Sequence, residues 1–362
     1  MPTTAIEKTT PTPAAIAILA AEESGVSPNL SIYLAAHRAG SGTIRGSVRL
    51  HSTLNRIRES LPPGPDRDDL LGPLVDLEGD PDLHGGHGDG FAIFRSPRAL
   101  RVFRLPDWDG TDALFQHRHF QILPLLGHRD GHAAFHLLTL TRKRVRLFEV
   151  GMANAVEVTL NVVADFEEFL GLDESDHTQR NRVSSRAGTV NFGTGSEREK
   201  ENRRFHDFCR NIDHARVEMD GGKPLPFVVA GTEHDVAIYA AACAHPLLVA
   251  GSVFASPDDG STVAELAAKA RGVVAEWVPP ERKRLVEQYR KRAGSHLASA
   301  EMKEIGAAAA TGRVEHLFVV AGTVSEDVNA AACDTLLHAG TVSVLSADAM
   351  PDTTTAAALL RY

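Results

Sequence analysis

Gly188-Thr-Val-Asn-Phe-Gly-Thr-Gly-Ser196 is a run of small and polar residues leading straight into Arg198, Lys200, Arg203 and Arg204. Behind these cations Phe205, Phe208, Cys209 and Ile212 recur at i, i+3, i+4 and i+7, the period of a helix with one buried stripe. The charges are then left for the solvent side, where they can meet phosphates. A pliant loop ahead of a basic amphipathic helix suits insertion into a cavity lined with nucleic acid, and is a poor site for small-molecule chemistry. Arg186, Gly193, Thr194, Gly195, Ser196, Arg198, Lys200, Arg203 and Arg204 are therefore candidate RNA-binding residues. Arg142, Lys143 and Arg144, with Arg146 nearby, join them as a basic hairpin tip that fits either a solvated turn or an RNA contact.

Other constellations offer less. His84-Gly-Gly-His87-Gly-Asp89 brings two imidazoles and a carboxylate close but fixes no third ligand. His117 and His119 flank Arg118 and can face one side of a strand, as a zinc pair or, preferably, as a solvated or RNA-facing cluster. His128, His132 and His136 have helical spacing, but Gly131 interrupts it, so they read as loop and strand residues. Gly231-Thr232 after a strand could cradle a phosphate at a helix start, yet no GxGxxG and no Walker lysine accompany it. There is no Gly-x-Ser-x-Gly elbow. Cys209, Cys243 and Cys333 are far apart and odd in number, which argues against a disulfide scaffold or structural zinc and for a reducing, cytoplasmic setting. No cofactor is implied.

These residues must be held by a chain of 362 residues, long enough for two or three domains. Its formal charge is −9, against uniform coating of nucleic acid, but residues 177–216 hold nine Lys or Arg against five acids. A local basic patch on an acidic body fits docking at one place on a polyanion. No apolar run approaches the ~20 residues that span a bilayer, so no membrane partner is expected.

Residues 14–23 read as a helix and 30–34 as a strand, and Ser41–Gly46 opens a helix carrying Val48, Leu50, Leu54, Ile57 and Leu61. Residues 62–90, rich in Pro, Gly and Asp, read as a loop. Phe91–Phe94 and Leu100–Leu105 form a hairpin, Phe120–Leu126 a short strand, and Phe135–Leu140 with Val145–Val150 a second hairpin. The basic helix, a strand at 226–230, a helix at 233–244, a strand at 247–250 and a helix at 262–274 follow. Beyond Pro279-Pro280, helices and strands alternate as in a small α/β sandwich, with Gly312 closing one helix. The Ala run 356–358 reads as helix or tight packing. The chain divides into an N-terminal α/β domain (1–129), a middle domain with the basic loop and helix (130–277) and a C-terminal sandwich (278–362).

This order of parts resembles the class-1 release factors of archaea and eukaryotes with Pelota, and most closely their bacterial relatives. Thr43-Ile44-Arg45-Gly46 opens a helix where the release factors keep an Asn-Ile-Lys-Ser codon loop. Gly193-Thr-Gly-Ser196 and Arg204-Phe205 lie where the family has Gly-Gly-Gln-Ser and an Arg-Phe pair. Gly312-Arg-Val-Glu315 before a strand, and the terminal Leu-Leu-Arg-Tyr362, resemble the family's last domain. The resemblance implies a three-domain mixed α/β chain whose last domain is a sandwich of the ribosomal-protein L7Ae type. It implies ribosome and ribosomal RNA as partners, and a translational GTPase at the last domain. Gly195 stands where the family has the water-positioning Gln, and Ile44-Arg-Gly46 replaces Ile-Lys-Ser, so peptide release and codon reading are not carried over. The favoured expectation is a non-enzymatic factor in the tRNA (A) site of stalled or idle ribosomes. A peptidyl-tRNA hydrolase with a Gln-free loop and an RNA-binding scaffold are the alternatives.

Overall fold

The computed structural model describes residues 11–25, 27–35, 46–80, 90–106, 108, 110–131, 134–151, 154–172, 197–219, 225–243, 252–255 and 260–362. Two compact units result: Met1–Gly131 with Lys283–Tyr362, and His132–Arg282. The first and last segments of the chain thus share one unit, with the middle segment as the other.

In the first unit α1 (Pro13–Ala20), β1 (Asn29–Leu34), α2 (Gly46–Ser60), α3 (Pro65–Leu77), β2 (Gly90–Arg95), β3 (Leu100–Leu105), β4 (Ala113–His117) and α4 (Leu123–Gly131) come first. The strands form an antiparallel sheet ordered β3-β2-β1-β4. Alternation sends Leu30, Ile32, Phe91 and Ile93 to one face, against Leu50, Leu54, Ile57, Leu71 and Leu74 of α2 and α3. The other face presents Tyr33, Phe94 and Phe103 to a core that also takes in α1 and residues of the last segment.

The stretch expected as a loop contains α3, begun by Pro65 at its first position and holding Leu70, Leu71, Leu74 and Leu77 inward. Its Pro and Asp content hides a helical apolar period. Pro73 lies within it and cannot donate to the Asp69 carbonyl one turn back. The buried Arg95 guanidinium fills that gap, donating to the carbonyls of Asp69 (2.6 Å), Leu70 (3.1 Å) and Ala99 (3.2 Å). The expected strand Phe120–Leu126 is instead the lead into α4, with Pro124 in its first turn. An apolar run this short, buried all round, has no period that separates strand from helix.

The last segment supplies α8 (Pro280–Arg292), β9 (Ala298–Ser299), α9 (Met302–Ala310), β10 (Val314–Val320), α10 (Glu326–Leu337), β11 (Thr341–Leu345) and β12 (Ala356–Leu360). Their sheet runs β11-β10-β12-β9, with β10 and β11 parallel. Leu317, Val319, Val342 and Ala358 face α9 and α10, while Phe318, Leu345 and Leu359 face Val286 and Tyr289 of α8. This is the expected sandwich. The Ala run is strand rather than helix, buried at every residue of β12. Gly312, with φ 71°, takes the left-handed turn that ends α9.

Asn329 of α10 ties the two segments together. It is fully buried, its Oδ1 accepts from the Ile122 amide (2.8 Å), and its Nδ2 donates to the Phe120 carbonyl (2.8 Å). Tyr33 adds a hydrogen bond from its hydroxyl to the Gln121 carbonyl (2.6 Å).

The second unit has one sheet, β7-β6-β5-β8, from β5 (Phe135–Leu140), β6 (Val145–Val150), β7 (Ala155–Val158) and β8 (Phe227–Gly231). Among these described strands β5 and β8 pair in parallel and the other neighbours antiparallel. Helices α5 (Glu197–Met219) and α6 (Glu233–Ala242) cover the face of Leu138, Leu140, Leu147 and Val229. Helix α7 (Val263–Glu276) covers the face of Leu137, Phe148 and Val228. The expected strand 247–250 lies outside the described residues; a parallel bridge joins Val253 to Ala230 nearby. α7 stops before Pro279 and α8 starts at Pro280, so no helix runs through this boundary.

Candidate nucleic-acid interface

Helix α5 forms as its sequence period requires. Phe205, Phe208, Cys209 and Ile212 are completely buried against the sheet and Phe166. Burying Phe205, Phe208 and Ile212 contributes on the order of 1.5–3 kcal/mol each, which fixes the helix and aims its other face outward. Arg198, Lys200, Arg203, Arg204 and Arg210 are exposed there. Farther along, an open polar cleft borders the same ridge, lined by Asn161, Asp207, Arg210, Asn211, His214 and Glu218. Asn211 and His214 escape a reading of charge alone, though both fall on the outer face of the helical period. Arg186, Gly193, Thr194, Gly195 and Ser196 lie outside the described residues, as do Thr43, Ile44 and Arg45; Gly46 is the first residue of α2.

Two arginines counted toward a basic surface are engaged inside the unit. Arg216 is fully buried, its guanidinium carbon 3.9 Å from the Phe227 ring centre and its NH2 3.1 Å from Asp213. Asp213 also accepts from the Tyr239 hydroxyl (3.2 Å) and the Cys243 thiol (3.4 Å). Burial, then the charge of Asp213, raises Tyr239 well above the usual phenol range. The sequence carries a signal for Arg216: it sits four residues after Ile212, on the buried stripe.

Arg142 is the second. The 141–144 turn is closed by the Thr141 hydroxyl, which accepts from the Arg144 amide (3.0 Å) and donates to its carbonyl (2.9 Å). Within it Arg142 turns back over the Phe205 ring (4.9 Å) and pairs with Glu201 and with Asp235 (3.4 Å). Lys143 and Arg144 remain exposed. Arg146 lies 4.7 Å over Phe148 and grips Glu157 with two hydrogen bonds (2.8 and 2.6 Å), which hold that carboxyl below its usual range.

The alternatives to an RNA surface find little support. At Gly231-Thr232 the Thr232 hydroxyl caps α6, and Glu233 and Asp235 occupy its first turn, opposing a phosphate. A side chain at Gly231 would put its Cβ 2.7 Å from the Leu140 carbonyl oxygen, so the glycine serves strand packing. Burial pushes the Cys209 thiol up to about 12, leaving no thiolate for nucleophilic work. His117 pairs with Glu326 (3.1 Å) and His119 bridges to Glu23 in the backbone. His128, expected in a loop, is carried on α4 beside Trp108, and His136 is buried in β5. No group of three or more potential metal ligands occurs among the described residues, and His84, His87 and His132 lie outside them. No described helix is long and apolar enough to cross a membrane.

Residues 134–313, about half of the chain, match the model of bacterial archaeo-eukaryotic release factor family 3. The chain belongs to this family. The match takes in the whole sheet of the second unit, helix α5 and the start of the last segment. No curated protein matches the chain. Among solved structures, the archaeal termination factor aRF1 shares 14% identity over 96% of each chain, with a TM-score of 0.26. Ribosome-bound archaeal Pelota, seen together with ABCE1, shares 12% over 98% of this chain and 95% of its own, at 0.36. Archaeoglobus fulgidus Pelota shares 12% over 76% and 79%, at 0.35. Superpositions this loose pair no residues.

Proposed function

We propose that this release-factor family member is a non-enzymatic ribosome-binding factor of the Pelota type. It occupies the tRNA (A) site of stalled or idle ribosomes, in rescue, recycling or hibernation. The observation that carries this reading is α5: its apolar stripe is wholly buried, and Arg198, Lys200, Arg203 and Arg204 stand exposed on its first two turns. That helix directly follows the segment holding Gly193–Ser196, and no Gly-Gly-Gln occurs in the sequence. Archaeal Pelota is ribosome-bound with ABCE1, and yeast Dom34 interacts with Hbs1, so a nucleotide-hydrolysing partner is part of the proposal.

The test is co-sedimentation with ribosomes of the full chain and of the R198A/K200A/R203A/R204A variant. The wild type should pellet with ribosomes and lose affinity steeply with salt. The variant should bind more weakly, with a slope shallower by about 0.7–0.9 for each phosphate it no longer neutralises. Equal binding by both proteins would refute the α5 docking surface. Peptide release from programmed ribosomes by the wild type would instead establish the hydrolase alternative.

A further inference from the structure

We infer that the outer face of α8 is a second binding surface for RNA phosphate, separate from α5. Val286 and Tyr289 pin this helix to Phe318, Leu345 and Leu359 of the last sheet, and the Tyr289 hydroxyl donates to Asp352 (3.2 Å). With that side fixed, the helical period places Lys283, Arg284, Arg290 and Lys291 together on the opposite side, and all four are exposed. The two pairs are seven residues apart, about 10 Å along the axis. One acid, Glu287, lies between them.

Two observations separate this stripe from an ordinary solvated helix face. Cations at a helix C-terminus are favoured by the helix dipole, which accounts for Arg290, Lys291 and Arg292. Lys283 and Arg284 lie near the N-terminal end, where the same dipole works against positive charge. The dipole therefore gives no reason for them. In addition, other arginines of this segment are already engaged. Arg292 pairs with Glu315 (3.7 Å), Arg313 donates to the Tyr362 carbonyl oxygen (2.6 Å), and Arg361 donates to the carbonyls of Gly312 (3.0 Å) and His338 (2.9 Å). Among the described residues no carboxylate lies within ion-pair distance of the four stripe cations.

The stripe also indicates its partner. A protein-binding surface needs an apolar or aromatic anchor at its centre. The exposed residues of α8 include none: they are Pro280 and Glu281 at its start, then Lys283, Arg284, Glu287, Arg290 and Lys291. Spaced cations without an anchor match a phosphate backbone, read by charge and spacing rather than by base. This surface adds to the ribosome-binding reading but does not depend on α5.

The experiment measures binding of the full chain to a fluorescein-labelled single-stranded RNA and to a labelled RNA duplex across a salt series. Three proteins are compared with wild type: K283A/R284A/R290A/K291A, the charge-keeping R284K/R290K, and the α5 quadruple variant. The α8 alanine variant should bind at least about tenfold more weakly at low salt, with a slope shallower by about 3 when four phosphates go unneutralised. R284K/R290K should keep the wild-type slope. Circular dichroism melting should show the alanine variant folded, because alanine at exposed helical positions favours the helix. An α8 alanine variant with wild-type RNA affinity and slope overturns the inference. So does one that loses binding only to a polyglutamate probe, which would assign the face to an acidic protein. If the α5 variant keeps RNA binding while the α8 variant loses it, the α5 reading fails and this one stands; the reverse result removes α8 alone.

Discussion

Replacing Asn329 by Leu tests whether the first and last segments of the chain fold as one body. The substitution keeps the size of the side chain but deletes both hydrogen bonds that Asn329 makes to the Ile122 amide and the Phe120 carbonyl. Both residues are fully buried, so neither group gains water in exchange. Each orphaned buried group costs about 1–3 kcal/mol, and the added apolar burial of Leu returns about 1 kcal/mol, for a net loss of about 1–5 kcal/mol. In a unit of about 210 residues this lowers Tm by roughly 10 °C. The more telling assay is amide hydrogen exchange. If the unit opens cooperatively, amides of β1 and β2, far away in sequence, should lose protection by the same free energy as amides of β10 and β12. Those of β5 and β6 should keep theirs. Loss of protection in β10 and β12 with none in β1 and β2 would show that the two segments open independently, and would refute the shared core as a folding unit.

Arg142→Ala should destabilise the second unit by about 1–2 kcal/mol, because the mostly buried Asp235 loses its cation and Phe205 its covering; chemical denaturation measures this. The same variant should leave the salt slope of ribosome binding unchanged, unlike K143A/R144A. For the cysteines, the folded state raises Cys209 and Cys333 from 9.0 to about 12 by burial. Their neutral thiols therefore contribute stability that is complete below pH 9 and is lost as pH rises toward 12, visible as a falling Tm across that window. A thiol reagent at pH 8 should label Cys243 in the native protein and the other two only on unfolding.

The sequence is most legible where burial is one-sided. Helices α2 and α5 each show a clean period, because one face meets core and the other water, while the hairpin strands, buried on both faces, are marked by short apolar runs on either side of a polar turn. It is least legible where polar residues serve the interior. α3 hides behind Pro65, Pro73 and its aspartates, and Arg95 becomes a core residue only because Pro73, in a different element, frees a carbonyl for it. Residues 120–126 lack any period because nearly every side of them is covered. The union of the first and last segments depends on Asn329 finding Phe120 and Ile122, 209 and 207 positions away, and no local pattern announces such a pairing.

Cation counting shows the same division between what is local and what is not. Of nine Lys and Arg in 177–216, Arg180, Arg182 and Arg186 lie outside the described residues, and Arg216 is spent inside the core. Arg198, Lys200, Arg203, Arg204 and Arg210 remain as the exposed set on α5. Five phosphates neutralised at about 0.7–0.9 each bound the contribution of this helix to a salt slope of roughly 3.5–4.5. A steeper slope for the whole protein therefore requires phosphate binding beyond α5. The exposed pairs on α8 supply up to four more cations, enough to raise the total to about 6–8. Removing both sets together should flatten the slope by the sum of their separate effects, since each phosphate neutralised adds its own increment.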